Sequence, residues 1–164
     1  MTNPEFYIDR LGLTEHPEGG YFKSTYASEL KTEANGKQRA MFTSIYFLLK
    51  SGQVSHLHRL KSDELWYYHG GSPLTVHVIH EDGAYEEVKL GLNVERGEVP
   101  QYLVPKNSIF GSSVMEEETY SLVGCMVSPG FDFEDFELFT QDELLKDYPQ
   151  HKEVISKLAY RELP

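Results

Sequence analysis

Turn-forming residues interrupt the middle of the chain so often that few architectures can accommodate it. Gly19-Gly20, Asn35-Gly36, Ser51-Gly52, Gly70-Gly71-Ser72-Pro73, Glu81-Asp82-Gly83-Ala84, Gly97 with Pro100, and Ser128-Pro129-Gly130 follow one another at short intervals. The segments between them are rich in branched and aromatic residues and too short for helices. A parallel α/β sheet would need helical segments between its strands, so the pattern indicates an all-β sandwich or barrel.

The strands are read from period-two alternation and composition. Residues 21–26 alternate, and 29–39 form a polar loop or hairpin tip at Asn35-Gly36. Residues 42–50 and 120–127 are the strongest strands; 65–68, 74–80, 85–90, 101–104, 109–114 and 136–139 are further candidates. Within 74–80, Leu74, Val76 and Val78 share one face, while His77 and His80 are read as surface residues. Helical signals are confined to the ends. Asn3 or Thr2 can cap a short helix with Pro4 at its first position, Phe6, Ile8 and Leu11 on its apolar side and Gly12 at its end. Thr140 with Glu143 is a capping-box pair, and Val154, Ile155 and Leu158 recur at helical spacing.

Length and charge narrow the function. A chain of 164 residues is expected to form one domain, 1–164, with a substantial core. A formal charge of -11 argues against nucleic acid or an anionic membrane as the main partner. Cys125 is the single cysteine, set in an apolar run, and reads as a buried thiol rather than a nucleophile. No secretory signal pattern or membrane-length apolar run is visible, so a cytoplasmic location is the expectation.

Chemistry concentrates in residues 52–70, GQVSHLHRLKSDELWYYHG. On a regular strand, residues two apart share a face, so His56 and His58 are expected to project side by side toward one ligand or metal ion. A turn would then return an acid beside them. Asp63 and Glu64 are adjacent and must face opposite ways, so only one enters the pocket.

Gly52, the His56/His58 pair, the following acid and Gly70 resemble the first motif of the cupin superfamily. VPKNSIFG, residues 104–111, resembles the second. EGGYFKSTY, DELW and SLVGCMVSPGFDFEDFELF are similar to an uncharacterised, epimerase-like (RmlC-like) cupin branch. The resemblance implies a double-stranded β-helix, the cupin jelly roll, with short terminal helices and assembly as a homodimer. In metal-binding cupins the second motif supplies a third histidine. Here Asn107 stands at the turn-glycine position and Phe110 at the histidine position. His56, His58 and Glu64 would remain as a reduced set for a divalent metal ion.

Two classes of function follow. One is an epimerase- or isomerase-like enzyme on a sugar-like or other small polar molecule, with His58 as base, Asp63 or Glu64 fixing its tautomer, and Tyr21, Tyr46 or Tyr68 as proton donor. The other is a non-catalytic small-ligand binding module. In both, His56, Trp66, Tyr68, Phe110, Tyr46, Tyr21 and Glu18 are the candidate ligand-binding residues.

Overall fold

The computed structural model describes residues 3–164; Thr2, one of the two candidate caps, lies outside them. Asn3 caps α1 (Pro4–Leu11), its side-chain oxygen accepting the Phe6 N–H at 3.0 Å. The described strands are β1 (Thr14–Glu15), β2 (Tyr21–Ala27), β3 (Lys31–Ala34), β4 (Lys37–Ala40), β5 (Thr43–Lys50), β6 (Val54–Arg59), β7 (Asp63–Gly71), β8 (Leu74–Ile79), β9 (Tyr85–Leu90), β10 (Gln101–Val104), β11 (Ile109–Val114), β12 (Tyr120–Ser128) and β13 (Glu137–Leu138). Two helices close the chain, α2 (Gln141–Asp147) and α3 (Lys152–Leu158).

A six-stranded sheet, ordered β1-β2-β5-β12-β7-β10, faces a five-stranded sheet, ordered β13-β6-β11-β8-β9. This is a jelly-roll sandwich. The β3-β4 ribbon stands apart, turning at Asn35-Gly36 as its sequence indicates.

Period-two alternation fills the space between the sheets. Phe47, Leu49, Trp66, Val123 and Cys125 from one sheet meet Val76, Val78 and Phe110 from the other. The outer faces are covered unequally. Leu48 and Leu122 lie under Tyr7, Ile8 and Leu11 of α1. Leu57, Ile79 and Ile109 lie under Leu144, Ile155 and Leu158 of the C-terminal helices. That double covering explains why β5 carries three consecutive buried residues, Phe47, Leu48 and Leu49.

Two expectations need correcting. Phe6 is exposed, and Tyr7 takes its place on the apolar side of α1. His77 is buried, because the C-terminal segment folds over β8; its ring joins Tyr85 and Ser113 in hydrogen bonds of 2.7 and 2.9 Å.

Candidate active site

The site begins with Glu18, which precedes the Gly19-Gly20 turn. Gly19 has φ +107°, and a Cβ there would lie 2.2 Å from the Val54 carbonyl oxygen. Only glycine lets the chain pass this close to β6. The approach is fastened by the Glu18 carbonyl, which accepts both the His56 backbone N–H at 2.6 Å and the His56 Nδ1–H at 2.8 Å. It turns the Glu18 side chain into the space between the sheets, where Ser55 Oγ donates to Oε1 at 3.0 Å.

β6 does not alternate regularly. Phe110 of β11 lies opposite His58, whereas Ser112 lies opposite Ser55, so three steps along β6 match two along β11. The extra residue is a β-bulge at His56-Leu57, facing Gly111, where a Cβ would meet the Ser55 carbonyl oxygen at 2.4 Å. The bulge sends Ser55 and His58 inward together. Leu57 packs outward against the helices, and His56 stacks on Tyr160 with ring centroids 3.5 Å apart. The expected side-by-side imidazoles are therefore separated.

His58 is fixed at both nitrogens. Nδ1–H donates to the His56 carbonyl at 2.6 Å, and Nε2 lies 3.0 Å from Glu18 Oε2. Burial opposes charge on both partners, but their mutual attraction prevails. Glu18 falls below the ordinary carboxylate range, and His58 rises above the ordinary imidazole value. The pair is a buried carboxylate–imidazolium. His16 is neutral, its pKa lowered by burial, and its Nδ1 accepts the Glu18 N–H at 3.1 Å. Its 3.8 Å approach to Glu18 Oε2 is thus not an ion pair.

Glu64 is the second buried acid. Burial and the Glu18 charge push its pKa up to about 7, against the pull of His58 and a hydrogen bond with Cys125. Burial and the two acids hold the Cys125 thiol well above its usual range, so it is no nucleophile.

Glu18, His58, Glu64, His16 and Cys125, with the Ser24 and Thr43 hydroxyls, form the polar part of a cavity of about 130 Å³. Phe22, Ile45, Phe47, Leu60, Phe131 and Phe133 make its apolar walls. Flanking the lining residues Phe131 and Phe133 in sequence, Asp132, Glu134 and Asp135 gather around Arg39 of β4; Arg39 Nε donates to Asp135 at 2.9 Å.

Of the sequence candidates, Glu18, His58 and Glu64 meet here. The choice between the adjacent acids is resolved: Asp63 is exposed and accepts the Lys106 N–H at 2.8 Å. Trp66 and Phe110 are core residues behind the cavity, Phe110 packing on the His58 ring at 4.2 Å. Tyr21 and Tyr46 pack on the outer face of the six-stranded sheet, so neither reaches the cavity as a proton donor. The Tyr68 hydroxyl donates to the Gly71 carbonyl at the far end of β7 and does not line the cavity either. Sequence reasoning missed His16, Phe131 and Phe133 as lining. The signal was the polar HPEGG run before a strand and the Phe-acid alternation after Ser128-Pro129-Gly130.

The reduced metal set does not fit. His56 faces Tyr160, His58 has a partner at each nitrogen, and the Phe110 ring occupies the third-histidine position. Among the described residues, no group of three or more His, Cys, Asp or Glu side chains is arranged to hold a metal ion.

The two-sheet jelly roll and a family match spanning most of the chain make this a protein of the cupin class. The chain belongs to the family described as Cupin superfamily (DUF985), whose model matches residues 5–139. It is similar to a hypothetical protein from Leishmania major, with 48% identity, 97% of this chain and 99% of that one covered, and TM-score 0.94. Protein SO0799 from Shewanella oneidensis shares 50% identity over 99% of this chain and 100% of that one, at TM-score 0.93. The uncharacterized protein YML079W of Saccharomyces cerevisiae is 30% identical over 154 residues, covering 85% of this chain and 76% of that protein. A mutant Bacillus subtilis oxalate decarboxylase shares only the fold, with 17% identity, TM-score 0.58, 92% of this chain covered and 38% of that one.

Proposed function

We propose that the chain is an acid–base enzyme of the isomerase or epimerase type, acting on a small molecule held between the sheets. The observation that carries this reading is a buried carboxyl with its pKa near 7, Glu64, beside a fixed buried ion pair in one cavity. The roles differ from the sequence expectation. His58 is protonated and held at both nitrogens, so it is a fixed partner of Glu18 rather than the base. Glu64, able to gain or lose a proton near neutrality, is the acid–base residue. Glu18 positions His58 and keeps it charged.

A cavity of about 130 Å³ is too small for a nucleotide sugar, and among the described residues no lysine or arginine lines it to meet a diphosphate. The substrate is a compact molecule with an exchangeable proton beside a carbonyl. The aromatic walls also favour a second reading, a carrier that binds such a molecule without changing it. Homodimer formation through the six-stranded sheet is part of the proposal.

Proton exchange separates the two readings. Small ketones, aldehydes and lactones incubated with the protein in D2O should lose the proton beside the carbonyl, as followed by 1H NMR. The rate should rise with pH through about 7 and fall by roughly a hundredfold or more in Glu64→Gln. Exchange unaffected by Glu64→Gln would overturn the enzymatic reading. Binding without exchange would leave the carrier.

A further inference from the structure

We infer that the cavity selects uncharged carbonyl or hydroxyl compounds with an apolar body and refuses their carboxylate counterparts. This rests on the cavity being the ligand site, not on its being catalytic.

The charges of the lining set the preference. His58 is the one cation among the described lining residues, and each of its N–H groups already has a partner, the His56 carbonyl and Glu18 Oε2. No donor remains on it for an incoming anion. The Glu18 backbone N–H is likewise engaged, by His16 Nδ1. The Glu18 carboxylate cancels the imidazolium, so the floor is neutral while Glu64 holds its proton and negative once it does not. An anion would exchange its hydration for aromatic walls, two acids and the uncharged Ser24 and Thr43 hydroxyls, with no cationic donor left to meet it.

The same floor suits a neutral molecule. The carboxyl oxygens of Glu64 and Glu18 can accept one hydrogen bond, protonated Glu64 can donate one, and Phe22, Phe47, Phe131 and Phe133 receive the apolar remainder. A permanent charge has no counterpart there, and an apolar molecule without oxygen or nitrogen would leave the Glu64 carboxyl with Cys125 as its one hydrogen-bond partner among the described residues.

Isobutyramide and isobutyrate test this, since they share a shape and differ in charge. On the full chain at pH 8, 15N-edited NMR titration with isobutyramide should shift the amide signals of Phe47, Glu64 and Cys125 saturably. Isobutyrate should bind about tenfold more weakly or worse. On acidification the protonated acid should bind like the amide, an arm that requires no variant. Glu18, His58, Glu64, His16 and Cys125 are the titratable groups facing the ligand, and pH titration without probe separates their own signals. Glu64→Gln, which removes the negative charge left uncompensated at pH 8, should bring the two affinities to within about threefold. Isobutyrate binding the native protein as tightly as the amide, or an unchanged ratio in folded Glu64→Gln, would overturn the inference. If neither probe moves cavity signals, the pocket itself is refuted. If selectivity holds and D2O exchange fails, only the catalytic reading falls.

Discussion

Glu18 and His58 are more costly to separate than to remove together. Each is desolvated, and each is tolerated because the other sits 3.0 Å away. His58→Ala leaves a carboxylate in an aromatic cavity and should destabilise the fold by about 3–5 kcal/mol at neutral pH. A joint Glu18→Met/His58→Leu replacement should recover most of that loss in urea unfolding; a double variant as weak as the single one would show that the pair contributes through packing alone. Glu64 acts in the opposite sense. Its pKa is about 7 in the folded chain against an ordinary 4.5, so between those values the folded state holds a proton that the unfolded state has released. Stability from this group is therefore complete below about pH 4.5 and declines as pH rises to about 7, by roughly 3 kcal/mol in all. Glu64→Gln should remove that slope. Unfolding free energies of the two proteins measured across this range should diverge toward high pH, with the variant the more stable.

The site depends on two backbone irregularities, the Gly19-Gly20 approach and the β6 bulge. Gly19→Ala would force the Glu18 loop off the Val54 carbonyl, and the strain of its positive φ should cost about 1–3 kcal/mol. With Glu18 withdrawn, His58 loses its counter-charge, and its imidazole titration, followed by NMR, should drop below that of the native protein. An unchanged His58 titration in a folded Gly19→Ala protein would show that the close approach does not set the ion pair. The longer strands, the turns, the helix caps and the inward face of β8 are legible in the sequence, because each is decided by neighbouring residues; β1 is not, and the β3-β4 ribbon reads there only as a loop or hairpin tip. The pairing of His56 with His58 was misread for the converse reason. Period two is right for a regular strand, but the inserted residue is fixed by Gly111 on another strand and by the loop carrying Glu18, neither of which is local to the His56-His58 segment. Glu64 was half legible: one of the adjacent acids had to enter, and the Lys106 turn that holds Asp63 outside decided which. Because the bulge takes His56 away from His58, added zinc, manganese, iron(II) or nickel should leave the melting temperature unchanged. A saturable rise of several degrees, abolished by His58→Ala, would contradict that geometry.

The sandwich is covered unevenly, and the uncovered part is where association between copies is predicted. α1 screens one end of the outer face of the six-stranded sheet, and the C-terminal helices screen the five-stranded sheet. Beyond α1, Met126, Leu65 and Leu103 lie directly opposite one another on β12, β7 and β10, facing away from the core. Tyr67 stands next to them on β7, Leu103 is 42% exposed, and β10 is the free edge of its sheet. An apolar row running to an unpaired sheet edge invites burial by another copy of the same surface. A net charge of -11 opposes association unless the contact is largely apolar, which this row is. The chain is therefore expected to sediment at about twice its 18.8 kDa mass at micromolar concentration. Leu65→Asp with Leu103→Lys should convert it to a monomer while leaving the cavity intact, since Glu64 and Val104 on the same strands face the other way. Ligand binding retained by that monomer would place the complete site within one chain; a native protein that sediments at 18.8 kDa would refute association through this row.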